Sequence, residues 1–219
     1  MTTHAPQHDV EPRTFTFDIK RNFIDRRVKK LVISPERLEF AGDSMLISCI
    51  SDIRYGSIQQ VVNGIKAGKT YEIVFRSQDK KVIKIFFGSA SIMKTNKSLD
   101  DHYNAILSGV WVNILSGMVN RTISEIRNGK NFTAGGCEVS RTGMKLTTYK
   151  WFKKKETFVE WKDCVKSYVN GEIHLWSKND EKRKCTISLL NIWNAVVLAS
   201  MLDFLFKEGR IFSMFDVSP

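Results

Sequence analysis

One pattern of apolar, turn and aromatic residues runs twice along this chain of 219 residues, and a repeat on that scale confines the fold to two like units. The first copy opens with Ile33-Ser34-Pro35-Glu36-Arg37-Leu38-Glu39-Phe40, the second with Val139-Ser140-Arg141-Thr142-Gly143-Met144-Lys145-Leu146. Both alternate as a strand, a tight turn and a second strand do. Next, Ile50-Ser51-Asp52-Ile53-Arg54-Tyr55 and Trp161-Lys162-Asp163-Cys164-Val165-Lys166-Ser167-Tyr168 each set an apolar residue ahead of Asp and an aromatic after it. A hairpin follows in each copy. In the first, Tyr71–Phe75 and Val82–Phe87 flank a polar turn at Ser77–Lys80; in the second, Glu172–Trp176 and Cys185–Leu189 flank one at Lys178–Glu181.

Each copy then turns to helical spacing. Ser98-Leu99-Asp100-Asp101 is a capping-box-like start, after which Tyr103, Ile106, Val110, Ile114, Met118, Val119, Ile123 and Ile126 mark one face up to Gly129. In the second copy Leu190, Trp193, Val196, Val197, Met201, Leu205 and Phe206 do the same up to Gly209. Both helices are expected to carry an early Trp and to stop at a Gly cap.

Strands followed by one closing helix, twice over, predict an α+β chain that is mainly β: two partly open barrels or sandwiches, each closed by a C-terminal amphipathic helix. This order resembles the pleckstrin-homology fold. The second copy, Ser140–Phe206, is similar to the bacterial pleckstrin-homology-like families in its strand and turn, its apolar-x-Asp-apolar step, its Gly171-Glu172-Ile173 hairpin and its helix. The first copy departs from them by a longer insertion over Arg54–Thr70 and by an overlong helix. The resemblance implies a loose tail over 1–13, a first unit over 14–129, a second over 130–210 and a short tail over 211–219. It also implies binding or scaffolding rather than catalysis, and no cofactor, although this fold hosts lipid binders, peptide binders and scaffolds alike.

Composition fits a folded chain, with 42% hydrophobic and 26% charged residues. Residues 1–13 hold no apolar run of the kind a secretory signal needs. The apolar stretch Leu189–Phe206 is interrupted by Asn191, Asn194 and Asp203, so it reads as a core helix and not as a membrane span. Cys49, Cys137, Cys164 and Cys185 lack C-x-x-C spacing. A cytoplasmic protein is expected, peripheral to a membrane if it binds lipid. The net charge of +11 favours acidic surfaces without naming one.

The sequence comes near two nucleotide-binding motifs and completes neither. Gly64-Ile65-Lys66-Ala67-Gly68-Lys69-Thr70 has three residues between its glycines where a P-loop needs four, and a strand follows where a helix should. Glu138-Val139-Ser140-Arg141-Thr142-Gly143 is similar to half of the PilZ cyclic-dinucleotide motif, but has Glu for Asp, and Arg26 and Arg27 are adjacent rather than spaced. A turn joining two strands is the simpler reading. His102 and His174 have no metal-ligand pattern beside them, and no serine or carboxylate pair stands in a catalytic context.

Two features remain. Lys150, Trp151, Phe152, Lys153, Lys154 and Lys155 form the densest positive run, expected at a hairpin tip. In the lipid-binding members of the family the early hairpin carries the basic phosphate ligands, so this tip is the candidate for an anionic headgroup, with the two aromatics at the interface. A solvated tip whose lysines guard a sheet edge is the competing reading. The first helix, Ser98–Asn128, would span about 45 Å, more than one small barrel needs, and Val119, Ile123 and Ile126 on its far end are the candidates for an interaction surface. The expectation is therefore a protein partner or a second copy of the chain first, an anionic membrane surface second, and nucleic acid below both. An enzyme with an unrecognised site ranks third among the functions.

Overall fold

The computed structural model describes Glu11 and residues 13–20, 27–89, 97–150 and 153–207. The expected N-terminal and C-terminal tails fall almost wholly outside the described residues. The chain divides into two compact units, Met1–Gly117 and Met118–Pro219. The sequence repeat placed the boundary after Gly129; the division falls inside the helix instead.

In the first unit, β1 (Phe15–Lys20), β2 (Val28–Ile33), β3 (Arg37–Phe40) and β4 (Asp43–Leu46) form an antiparallel sheet in chain order. A 3-10 turn, Ile47–Cys49, leads to a second sheet of β5 (Ile50–Val62), β6 (Ile65–Ser77) and β7 (Val82–Ser89). Alternation decides which side chains go inside: Leu31, Ile33 and Leu38 from one sheet and Ile53, Ile73, Phe75 and Ile85 from the other are all 0% exposed. Each such side chain contributes about 2 kcal/mol by leaving water. The expected hairpin is present, with Tyr71 opposite Phe87 and Phe75 opposite Ile83.

The helix that follows runs as α1 (Lys97–Val110), a π-helical step over Trp111–Leu115, and α2 (Ser116–Arg127). Within the first unit, Gly109 lets the Phe15 ring approach, since a Cβ there would lie 3.1 Å from it. The π step carries Asn113, whose Nδ2 donates to the Arg13 carbonyl at 2.8 Å and reaches the Ile33 carbonyl at 3.3 Å. The helix ends as the sequence predicts. Gly129 has φ of +83°, its N–H donates to Ile126, and the Lys130 N–H donates to Glu125, the paired bonds of a Schellman cap.

The second unit repeats the order. β8 (Phe132–Ala134), β9 (Cys137–Val139), β10 (Gly143–Lys150) and β11 (Lys153–Glu160) form the first sheet. A 3-10 turn, Trp161–Asp163, leads to β12 (Cys164–Val169), β13 (Glu172–Ser177) and β14 (Asp180–Ser188), and α3 (Ala195–Lys207) follows. Met144, Leu175 and Ile173 of the sheets and Leu198, Met201, Leu202 and Leu205 of α3 are 0% exposed.

The likeness extends to single hydrogen bonds. Between the second and third strands of each unit a serine closes the turn: Ser34 N–H donates to Arg37 and Ser140 N–H to Gly143, both at 2.9 Å, and each hydroxyl repeats the bond. Only glycine fits at position 143, because a Cβ would come within 2.3 Å of the Val159 carbonyl. After each 3-10 turn, one carbonyl (Cys49, Asp163) accepts the N–H of a residue in the later hairpin turn (Gln78, Lys178).

Three expectations about the helices change. α3 begins at Ala195, not Leu190, because Asn194 sits at φ +61° and breaks the run before it. Trp193 therefore precedes its helix, while Trp111 lies in the π step and is not early in its own. α1 begins at Lys97, so Ser98 lies inside the helix rather than ahead of it, and Asp100 is bound to the sheet. The Gly209 cap lies outside the described residues.

Candidate binding surfaces

The lysine run does form a hairpin. β10 and β11 pair directly, with Lys150 opposite Lys153, Tyr149 opposite Lys154 and Thr148 opposite Lys155. Trp151, Phe152 and the Lys150 side chain lie outside the described residues. Strand alternation splits the lysines between two faces. On one, Lys145 pairs with Glu138, and Lys154 Nζ lies 2.6 Å from the Glu156 carboxylate. Hydrogen bonds from Lys145 and Asn131 hold the Glu138 carboxyl below its ordinary pKa. That face also exposes Tyr149 (74%) and Phe158 (54%). On the other face lie Lys153 and Lys155, for which the described residues supply no ion-pair partner.

This hairpin joins the third and fourth strands of its unit, not the first and second. The tip of the first hairpin is Gly135-Gly136, pressed against its own sheet: a Cβ on Gly136 would sit 2.9 Å from the Thr147 carbonyl. Early in the sequence of its copy, the lysine tip is thus late in the topology of its sheet.

The other candidate surface lies in the core. Val119, Ile123 and Ile126 are 4, 4 and 0% exposed. The side chains counted as a partner-facing stripe are buried in the structure as it stands.

A different arrangement, invisible in local sequence, occurs in both units. In the first, Asp100 of α1 accepts from the Tyr71 hydroxyl at 2.7 Å and from Lys69 Nζ at 2.5 Å. In the second, Asp203 of α3 accepts from the Tyr168 hydroxyl at 2.9 Å and from Lys166 Nζ. Each is a Lys-x-Tyr on a strand that clamps a carboxylate on the closing helix, though on the second strand of one sheet and the first strand of the other. Burial pushes the Asp100 pKa up, but the hydrogen bonds from Lys69 and Tyr71 outweigh it and leave it lowered. Burial, then the bond to Asp100, pushes the Tyr71 hydroxyl well up, so it stays a donor. These groups tie helix to sheet.

No family model and no curated protein matches the chain.

The remaining reactive side chains have structural roles. Burial raises the Cys164 thiol to about 12 and the Cys185 thiol to about 11, and pushes Cys137 higher still, so none is a ready thiolate. His102 stands edge-on between Phe17 and Phe87, with ring centroids at 6.0 and 5.7 Å. His174 Nδ1 lies 3.3 Å from the Thr186 hydroxyl. Lys69, the lysine of the P-loop-like stretch, is bound to Asp100 on a strand. Among the described residues no group of three or more His, Cys, Asp or Glu is placed to hold a metal ion, and no helix is long and apolar enough to cross a membrane. An open hollow of about 330 Å³ lies on the first sheet, lined by Lys30, Val32, Glu39 and Phe40.

The Arg54–Thr70 insertion is an extension of a hairpin rather than a flexible loop. β5 and β6 run 13 residues each and turn at Asn63-Gly64, with φ of +50° and +79°. Their counterparts β12 and β13 run six residues each and turn at Asn170-Gly171, with φ of +51° and +79°. Both are the left-handed pair that a type I′ turn requires. The Asn-Gly signal at 63–64 and the uncharged stretch around it were available in the sequence.

Proposed function

We propose that this chain is a non-catalytic tandem of two pleckstrin-homology-like units that works by binding protein, its own copies first. The observation that carries the reading is the repeated order of four strands, a 3-10 turn, three strands and a closing helix, down to the serine turn and the Asn-Gly hairpin. The placement of the reactive groups supports it. The clamp carboxylates Asp100 and Asp203 are spent on holding helices, the thiols of Cys137, Cys164 and Cys185 are suppressed by burial, and His102 is set among aromatic rings. A protein that only binds needs a stable frame and exposed edges, and the two clamps and the long hairpin supply those.

A second reading, binding to an anionic membrane surface, is favoured by one observation: Lys153 and Lys155 share the uncompensated face of a projecting hairpin. Its position between the third and fourth strands, away from where the family carries its phosphate ligands, ranks it second. Co-sedimentation with phosphatidylcholine vesicles, with and without phosphatidylserine, combined with light scattering of the protein alone, separates the two. Association without vesicle binding supports the first reading. A monomer that pellets only with the anionic vesicles, and fails to when Lys153, Lys154 and Lys155 are changed to Glu, replaces it with the second.

A further inference from the structure

The end of the β5–β6 hairpin has no counterpart in the second unit. Seven extra residues per strand, at about 3.3 Å each, extend it by about 23 Å. Ser57, Ile58, Gln59, Gln60 and Val61 are all exposed, Ile58 at 52% and Val61 at 58%. β5 is an outer strand of its sheet, and among the described residues no strand pairs with the far side of Ser57–Val61. β7 pairs with β6 as far as Lys69, so among the described residues only Gln60–Val62 against Ile65–Gly68 is two-stranded, and such a ribbon is marginally stable alone. Ile58 and Val61 lie on opposite faces, since β5 alternates regularly here. Of the two irregularities in this ladder, the one at this end, Ala67 left unpaired between Gly68 and Lys66, is on β6, and the other lies at Ser51 near the start of β5. Gln59 Nε2 donates to the Gly68 carbonyl at 2.6 Å and fastens the ribbon at that point.

Exposed edges are normally guarded by charge or proline. β1, β4, β7, β11, β12 and β14, the other outer strands longer than three residues, each carry at least one charged side chain, and β5 carries Asp52 and Arg54 only in its first five residues. From Tyr55 to Ile65 there is neither charge nor proline. This absence argues for the identity of the partner. Two copies of a chain with a net charge of +11 repel each other except where both surfaces are neutral, and the exposed end of β5 is neutral. An antiparallel pair of identical strands is also two-fold symmetric, so a single edge satisfies both partners and the assembly closes at two.

We infer that Ser57–Val61 of β5 pairs antiparallel with the same segment of a second copy, joining the two first units through one continuous sheet. This rests on the binding-protein reading above and names the segment and partner it uses. A contact this short is weak, so the dimer forms reversibly with concentration.

Sedimentation velocity of the full chain from about 1 to 100 µM tests it, comparing wild type with the Ile58→Lys, Val61→Lys double variant. Both positions are more than half exposed, so circular dichroism and thermal melting should match wild type. The wild type is expected to dimerise and the variant to do so at least about tenfold more weakly. In a second arm, Gln59→Cys, at the expected two-fold axis, should give a disulfide-linked dimer under mild oxidation. A wild type that stays monomeric throughout overturns the inference and the self-association reading together. A wild-type dimer that persists unchanged in the double variant, and is not trapped by Gln59→Cys, overturns the inference and leaves the reading standing.

Discussion

The two Asn-Gly hairpins, β5–β6 and β12–β13, begin from the same turn and come to different ends. The shorter one stays within its sheet and pairs fully, Val165 with Trp176 and Tyr168 with Ile173, then Ile173 with Ile187 across the next ladder. The longer one runs on: among the described residues β7 pairs as far as Lys69, and the strands beyond pair only with each other. Part of the extra length is structural, since Lys69 and Tyr71 of β6 hold Asp100, but the exposed Ile58 and Val61 nearer the turn add no stability. The comparison separates what the fold needs from what one copy adds, and what is added is an uncharged edge.

The clamps should give the largest effects, and they test whether the units are built alike. In the second unit Lys166 and Asp203 are 14% and 19% exposed, so Asp203→Ala takes the carboxylate away from a mostly buried ammonium. A loss of about 3 kcal/mol in denaturant unfolding is expected. Asp100 is 35% exposed, so Asp100→Ala should cost less, about 1–2 kcal/mol. Equal losses would break the comparison.

The turns come next. Gly171→Ala strains a φ of +79° in a hairpin that the second sheet depends on, and should destabilise globally by about 1 kcal/mol. Gly64→Ala meets the same strain at the end of the projecting ribbon. It should leave the melting temperature nearly unchanged and speed amide exchange only near the turn.

Acid should act through two carboxylates of the first unit. Asp52, where burial raises the pKa but bonds from Arg76 and Ser51 lower it further, and Asp100 both sit below the ordinary aspartate value. Their contribution is complete above about pH 4 and is lost as pH falls through the folded-state pKa values. Stability should therefore decline below about pH 4, and Asp100→Asn should flatten that decline. An unchanged profile in the variant would show that the clamp carries no proton linkage.

The smallest stability effect is expected at the lysine hairpin. Lys153→Glu with Lys155→Glu should alter folding by less than about 0.5 kcal/mol, leave self-association intact, and reduce retention on anionic vesicles if any is present. Loss of the dimer in this variant would move the assembly surface to the second unit.

Much of the frame was legible because it rests on local chemistry. Alternating apolar residues placed the hairpins, and Gly129 marked the helix end because only a left-handed residue makes that cap. Distance hid the rest. Lys69 and Asp100, or Lys166 and Asp203, meet only after the sheets form, so their pairing leaves no spacing to read. Helical periodicity could not show that Asn194 would turn left-handed and delay α3, nor that the Val119, Ile123 and Ile126 stripe would be buried. The insertion shows as extra length, and Asn63-Gly64 marks it as a hairpin because that pair adopts the left-handed turn.

Hydrogen exchange of the full chain at low and high protein concentration addresses the central difference between the hairpins most directly. Amides of Ser57–Val61 should gain protection as concentration rises, while those beside Asn170-Gly171 stay constant. Exchange at Ser57–Val61 that is independent of concentration would contradict the division of labour between the two units.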